Sequence, residues 1–225
     1  VYHTVVHVHE RHEGLNMARD NSPIVKQSRR EGFALHPKAH KIMARKTGIP
    51  GQHAHGRQGK PSLYLTQLRE KQKVRRAYGL LEKQFANLMA EADRTKDRGG
   101  LLPGEYLLQL LERRLDNAVY RAGFAVSRRA ARQLVGHGHF LLNGRRVDIP
   151  SIRLKAGDEI TVRPKSVKSG YFSQMDEIAK NTYQAQLSWI KSDQKKLTIT
   201  VTGLPLRDEA EADIKEQLIV EYYSR

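Results

Sequence analysis

At 225 residues, with 39% hydrophobic side chains, the chain is long enough to bury one large core or two small ones, which excludes disorder throughout. Its 40 Lys and Arg against 24 Asp and Glu leave a formal charge of +16, a balance that calls for a polyanionic partner, nucleic acid first. No run of about 18 apolar residues is present, so a membrane-spanning helix is not expected, and the absence of cysteine excludes disulfides, thiolate-bound zinc and thiol nucleophiles.

The basic excess lies in residues 1–168, whereas residues 169–225 carry slightly more acids than bases. Phosphate should therefore meet the first three-quarters of the chain, and the last quarter should pack internally or face basic proteins. Residues 1–16 alternate valine with His3, His7, His9 and His12. They read as an extension, disordered or lying ahead of a true start at Met17, rather than as a metal site.

Residues 17–61 are basic and almost free of aromatic side chains, and a segment so poor in apolar surface should order mainly when phosphates neutralise it. Within it, Pro50-Gly51 predicts a tight turn opening a loop that carries His53, His55 and Arg57, with Lys60 beside it. Ser62 then offers an N-cap. Val74, Tyr78, Leu81, Phe85 and Leu88 recur at helical spacing, so the pattern predicts one helix to about Ala92. Its stretch Arg69, Lys71, Lys73, Arg75 and Arg76 holds more cation than a solvated face needs, which points to phosphate contact.

Gly99, Gly100, Pro103 and Gly104 mark a break, taken as a domain boundary. A second helix is expected over 105–122, with Gly123 as its left-handed cap. Ser127 caps a short helix on which Arg128, Arg129 and Arg132 share one face and Ala130, Ala131 and Leu134 the other. Residues 140–147 form a hairpin around Asn143-Gly144, a pair that supplies the two positive φ angles of a type I′ turn, and Arg145 and Arg146 follow the tip. An alternating strand is expected at 159–163. Helix, helix and sheet must pack together, and that gathers Arg113, Arg114, Arg121, Arg128, Arg129, Arg132, Arg145 and Arg146, whose planar forks suit phosphate.

Beyond Lys168 the pattern predicts a helix near 174–181, strands near 185–191 and 197–202, and a last helix that opens on the acidic run from Asp208 and continues to Tyr222. The fold class is therefore α+β: a helical N-terminal domain plus a compact RNA-binding module of helices on a small antiparallel sheet. Residues 1–16 are the extension, 17–104 the arm and helical domain, 105–168 the module and 169–225 the part that completes the fold. No Walker-type loop, dinucleotide fingerprint or His-Glu-x-x-His motif is present, and His53, His55, His137 and His139 sit in glycine-rich loops among cations. An RNA-modifying enzyme is accordingly the weaker alternative, a free mRNA-binding regulator of translation the nearer one, and no metal or cofactor is expected.

Several stretches, taken in order, resemble the small-subunit ribosomal protein four family: Pro50 to His53, Gln67 to Arg76 with Tyr78-Gly79, Glu112 to Asn117 with Val119 to Arg121, Ser127 to Val135, Asn143 to Arg145, and the ending from Ala212 to Glu221. Ala54 stands where the family has glycine. The resemblance implies a structural, non-enzymatic protein in the cytoplasmic ribosome. It implies a primary binder of the 5′ domain of 16S rRNA that nucleates assembly, neighbours ribosomal proteins three and five, and lies beside mRNA at the entry channel, where it influences accuracy.

Overall fold

The computed structural model of the chain describes residues 20–46, 48–52, 56, 59–175, 177–178, 187–211 and 213–224. The arm contains two helices, α1 (Ile24–Glu31) and α2 (Pro37–Arg45). Internal hydrogen bonds supply what apolar surface cannot. The Ser28 hydroxyl donates to the Ile24 carbonyl at 2.8 Å and accepts from the Leu35 amide at 3.2 Å, and Arg29 donates to the Gly48 carbonyl at 2.7 Å. The turn at Gly51 has φ +124°.

The long helix expected from Ser62 is two helices, α3 (Leu63–Ala77) and α4 (Glu82–Gly99). Ser62 does cap the first, accepting from the Leu65 amide at 3.2 Å. The chain leaves α3 through Gly79 at φ +65°, where the Leu80 amide reaches back to the Arg75 carbonyl at 2.9 Å. That left-handed exit satisfies helix-end carbonyls and reverses the chain, so Phe85 and Leu88 still reach the same core as Val74 and Tyr78.

The second expected helix is also divided, into α5 (Pro103–Glu112) and α6 (Leu115–Arg121). Residues 150–154 run alongside the break and take its backbone groups. Leu115 and Asp116 amides donate to the carbonyls of Ile152 and Pro150 at 2.9 and 3.2 Å, and the Leu154 amide donates to the Arg113 carbonyl at 2.9 Å. Gly123, at φ +80°, closes α6 and folds Phe124 into full burial. The helix α7 (Arg128–Gly136) starts on the Ser127 hydroxyl, which accepts from the Ala130 amide at 3.2 Å.

Five antiparallel strands follow: β1 (Phe140–Leu142), β2 (Arg145–Val147), β3 (Glu159–Val162), β4 (Ile190–Asp193) and β5 (Thr198–Val201), in the order β2-β1-β3-β5-β4. Asn143 and Gly144 take φ +49° and +78°, the turn the sequence called for. Register places Phe140, Ile160 and Ile199 on the face that meets α6 and α7, where Trp189 is fully buried. Of the helix expected near 174–181, Met175, Glu177 and Ile178 are helical while 176 and 179–181 lie outside the described residues, and the strand expected over 185–191 begins only at Ile190, residues 187–189 being irregular.

The terminal helix α8 (Glu216–Tyr223) begins later than the acidic run suggested. Arg207 donates to the Ile214 carbonyl at 2.7 Å and Lys73 to the Asp213 carbonyl at 2.5 Å, so side chains occupy acceptors that a continuing helix would use. Only a short 3-10 turn, Arg207–Glu209, forms earlier.

Two cores result. One unites α3, α4 and α5 with Ala210, Ile214 and Ile219, and the other unites α6, α7 and the sheet. They meet between Leu111 and Leu115, so the glycine-proline break at 99–104 is a turn inside the first core rather than the seam between the two.

Candidate nucleic-acid interface

At that seam lies a buried polar network. Glu112, 1% exposed, receives Arg121 in a two-pronged pair at 3.0 and 2.7 Å, the Tyr78 hydroxyl at 2.5 Å and the Asn117 amide at 2.7 Å. Burial alone would raise the Glu112 carboxyl, but the Arg121 and Arg128 charges and these donors hold it below the usual carboxylate range. Burial first, then the Glu112 charge, pushes the Tyr78 phenol well above its ordinary value. Arg128 sits with its guanidinium carbon 4.7 Å from the ring centroids of both Tyr78 and Tyr120, donating to Asn117 at 2.8 Å and Glu211 at 2.8 Å.

This network divides the cations singled out by sequence. Arg121, Arg128, Arg114 (to Asp116, 3.2 Å) and Lys71 (to Glu82, 2.5 Å) are turned inward onto acids. The expectation that Arg128 stands on an open face with Arg129 and Arg132 is corrected, because the two tyrosines and Glu211 draw it into the seam. Arg69 and Arg76 clasp the fully buried carboxylate of Glu31 from two positions on α3. Lys73 pairs with Glu70 at 2.8 Å, Arg75 binds Gln72 at 3.0 Å, and Arg113 donates to the Leu154 carbonyl at 2.9 Å.

Lys60, Arg129, Arg145 and Arg146 are exposed. Arg132 keeps 20% side-chain exposure while reaching Asp116 at 3.2 Å. His53 and Arg57 lie outside the described residues. Arg129, Arg132 and Arg76 share the wall of a cleft of about 220 Å³ between the start of α1, the α3–α4 turn and α7, floored by Leu80 and Leu81. A shallower hollow beside it adds Lys26 and Arg30 next to Pro50 and Gly51.

The same surface continues past the end of α7. Arg146 from the hairpin lies across Gly138, and Arg163 donates to the Gly138 carbonyl at 3.4 Å. His139 nearby shares a 2.9 Å hydrogen bond with Ser166, and burial followed by the charges of His137 and Arg163 lowers its imidazole pKa. Lys26, Arg30 and Arg163 were not anticipated from sequence. The signal for the first two was present in the run Lys26 to Arg30, but reading that segment as one ordered mainly by phosphate left its helical face unassigned.

Among the described residues, no group of three His, Asp or Glu converges as a metal site, and no helix is long and apolar enough to cross a membrane. What the surface offers is fixed cations at several heights around a shallow cleft, with arginine forks that can take phosphate oxygens in pairs.

An α+β protein with such a surface, one core of helices and a second of helices on a sheet, is an RNA-binding protein, and comparison with known proteins agrees. Residues 19–112 match the family model described as the ribosomal protein S4/S9 N-terminal domain, and residues 113–160 match the S4 domain. The junction of the two matches coincides with the seam. The chain is 46% identical over 215 residues to the small ribosomal subunit protein uS4 of Syntrophomonas wolfei, covering 93% of this chain and 100% of that protein. It is 48% identical over 211 residues to the uS4 protein of Chloroflexus aurantiacus, again over 93% and 100%. The chain belongs to the ribosomal protein S4 family, whose members are structural rather than enzymatic.

Proposed function

We propose that the protein is a structural constituent of the small ribosomal subunit that binds the 5′ domain of 16S rRNA early and nucleates assembly around it. The observation that carries this reading is the basic surface running from Lys26 and Arg30 through Arg76, Arg129 and Arg132 to Arg146. It crosses both cores, as a surface gripping a junction of several RNA helices must. Contacts are to phosphate and 2′-hydroxyl groups, because A-form RNA keeps most base edges out of reach. Lys60, Arg145 and, from the loop after Gly51, His53 and Arg57 extend the grip. Lys71, Arg114, Arg121 and Arg128 hold the frame. The acidic run at Asp208 suits basic neighbours, ribosomal proteins three and five, and a place beside mRNA at the entry channel would give the protein its influence on accuracy.

The test is a titration of the full chain against the 5′ domain of its own rRNA and against a scrambled structured RNA of equal length, at several salt concentrations. Roughly 6 to 10 phosphate contacts should cost on the order of a thousandfold in affinity between low and moderate salt, with a clear preference for the rRNA domain. Equal affinity for the two RNAs would reduce the protein to a nonspecific polycation.

A further inference from the structure

A second cavity lies outside the basic cleft and is larger than it. About 630 Å³ opens between the α1–α2 connection, α2, the start of α7 and the segment around Glu211, and its lining differs in kind. The side chains of Phe33, Met43, Tyr120 and Val126 give it apolar walls, Glu211 and Asp213 bring carboxylates to it, and His36, His40 and Arg128 also line it. Val126 is 37% exposed, although its neighbours Ala125 and Ser127 are buried.

Both carboxylates have acceptor capacity left over. Glu211 uses one oxygen, Oε1, for Arg128 at 2.8 Å and Arg121 at 3.7 Å, and its Oε2 has no hydrogen-bond partner among the described residues. Asp213 engages Lys73 through its backbone carbonyl, at 2.5 Å, and its carboxylate has no hydrogen-bond partner among the described residues. Arg128, the arginine in the lining, is already engaged by Asn117 and Glu211, so the cavity is not another phosphate cleft of the basic surface. Apolar side chains beside acid acceptors suit a planar group that donates hydrogen bonds.

We propose that this cavity receives a guanine base turned out of the bound RNA. Among the four RNA bases, guanine alone presents two adjacent donors on its pairing edge, the ring N1–H and the exocyclic amine. Two such donors match the paired oxygens of one carboxylate. Adenine and cytosine offer one donor beside an acceptor, and uracil one donor between two acceptors, so each would set a lone pair against an acid. Unstacked bases in loops and bulges are the part of RNA that proteins read through stacking and edge hydrogen bonds. The inference rests on the RNA-binding reading above and adds a base-specific contact to a surface otherwise made for backbone.

Methyl NMR on the full chain labelled at methionine tests it, because Met43 lines the cavity while Met89 and Met175 lie in the two cores and serve as internal references. Guanosine 5′-monophosphate should move the Met43 methyl and leave those of Met89 and Met175 in place. Adenosine 5′-monophosphate should bind about tenfold more weakly, the discrimination expected of a good bidentate contact. Asp213→Asn should weaken the guanosine response, and Val126→Trp, which fills the mouth, should abolish it with Met89 and Met175 unshifted.

Equal responses to the two nucleotides, or none to guanosine, would overturn the proposal. So would a Met43 shift caused instead by N-acetyl-arginine amide, which would make the cavity a slot for a protein cation. The rRNA titration run beside it separates the two readings: tight, salt-steep rRNA binding without a guanosine response defeats the cavity alone, and loss of both defeats the RNA-binding reading as well.

Discussion

Arg121 and Glu112 face each other across nine residues with both guanidinium prongs engaged, at 3.0 and 2.7 Å, and neither side chain sees appreciable solvent. The pair joins the last residue of α5 to the last residue of α6, and Tyr78 ties α3 to the same carboxylate. Removing one partner strands a buried charge. Arg121→Ala should therefore destabilise the protein by about 3–5 kcal/mol. A denaturant titration yielding less than 1 kcal/mol would show the pair to be no stronger than a surface one.

The pH response of this site has a definite sign. The folded state holds the Glu112 carboxyl below its ordinary value, so its contribution is fully present above the unfolded carboxylate pKa, about 4.3, and is lost as pH falls through the lower folded value. The expected outcome is a steeper acid-side loss of melting temperature in the parent than in Glu112→Gln, measured from pH 6 down to pH 3. Parallel curves would mean that the carboxylate is not the titrating group.

Exposed and inward arginines should separate in a paired assay. Arg129→Ala and Arg146→Ala should each weaken RNA binding, lower the salt dependence by about one unit of slope and leave stability within about 0.5 kcal/mol. Arg114→Ala, whose guanidinium sits on Asp116 with 8% exposure, should do the opposite, lowering the melting temperature first. If Arg114→Ala reduced RNA affinity with unchanged stability, the division of cations by burial would be wrong.

Gly138 holds a backbone φ of +69°, and a Cβ built there would lie 2.7 Å from the Arg146 guanidinium. Gly138→Ala therefore strains the backbone and displaces the arginine together. A stability loss of about 1 kcal/mol with weaker RNA binding than Arg145→Ala is expected from calorimetry and filter binding. Unchanged RNA affinity would show that Arg146 does not need its seat on that glycine.

Local signals in the sequence carried far because their partners are close. Ser62 and Ser127 cap the helices they precede, Asn143-Gly144 turns the hairpin and Gly123 closes α6, since each depends on a few neighbouring residues. What could not be read was the division of both long helices. Tyr78 to Leu81 preserves helical spacing of apolar residues through a left-handed turn, and the break at 113–114 is imposed by a strand-like segment some forty residues later. The candidate site shows the same limit. Arginines of α7 look equivalent on a helical wheel, and only the arrival of Tyr78, Tyr120 and Glu211 decides that Arg128 is interior and Arg129 is not.

The terminal helix has a consequence for synthesis. Ile219 and Ala210 belong to the core built by α3, α4 and α5, and Gln67 reaches Glu221 at 2.9 Å, so helices made early stay open on one flank until the final residues emerge. The sheet module between them has its own core and can close beforehand. A nascent chain thus holds a finished central module between an incomplete helical layer and its missing keystone, and an early stop ahead of Glu216 would release a protein whose first-made half never closes.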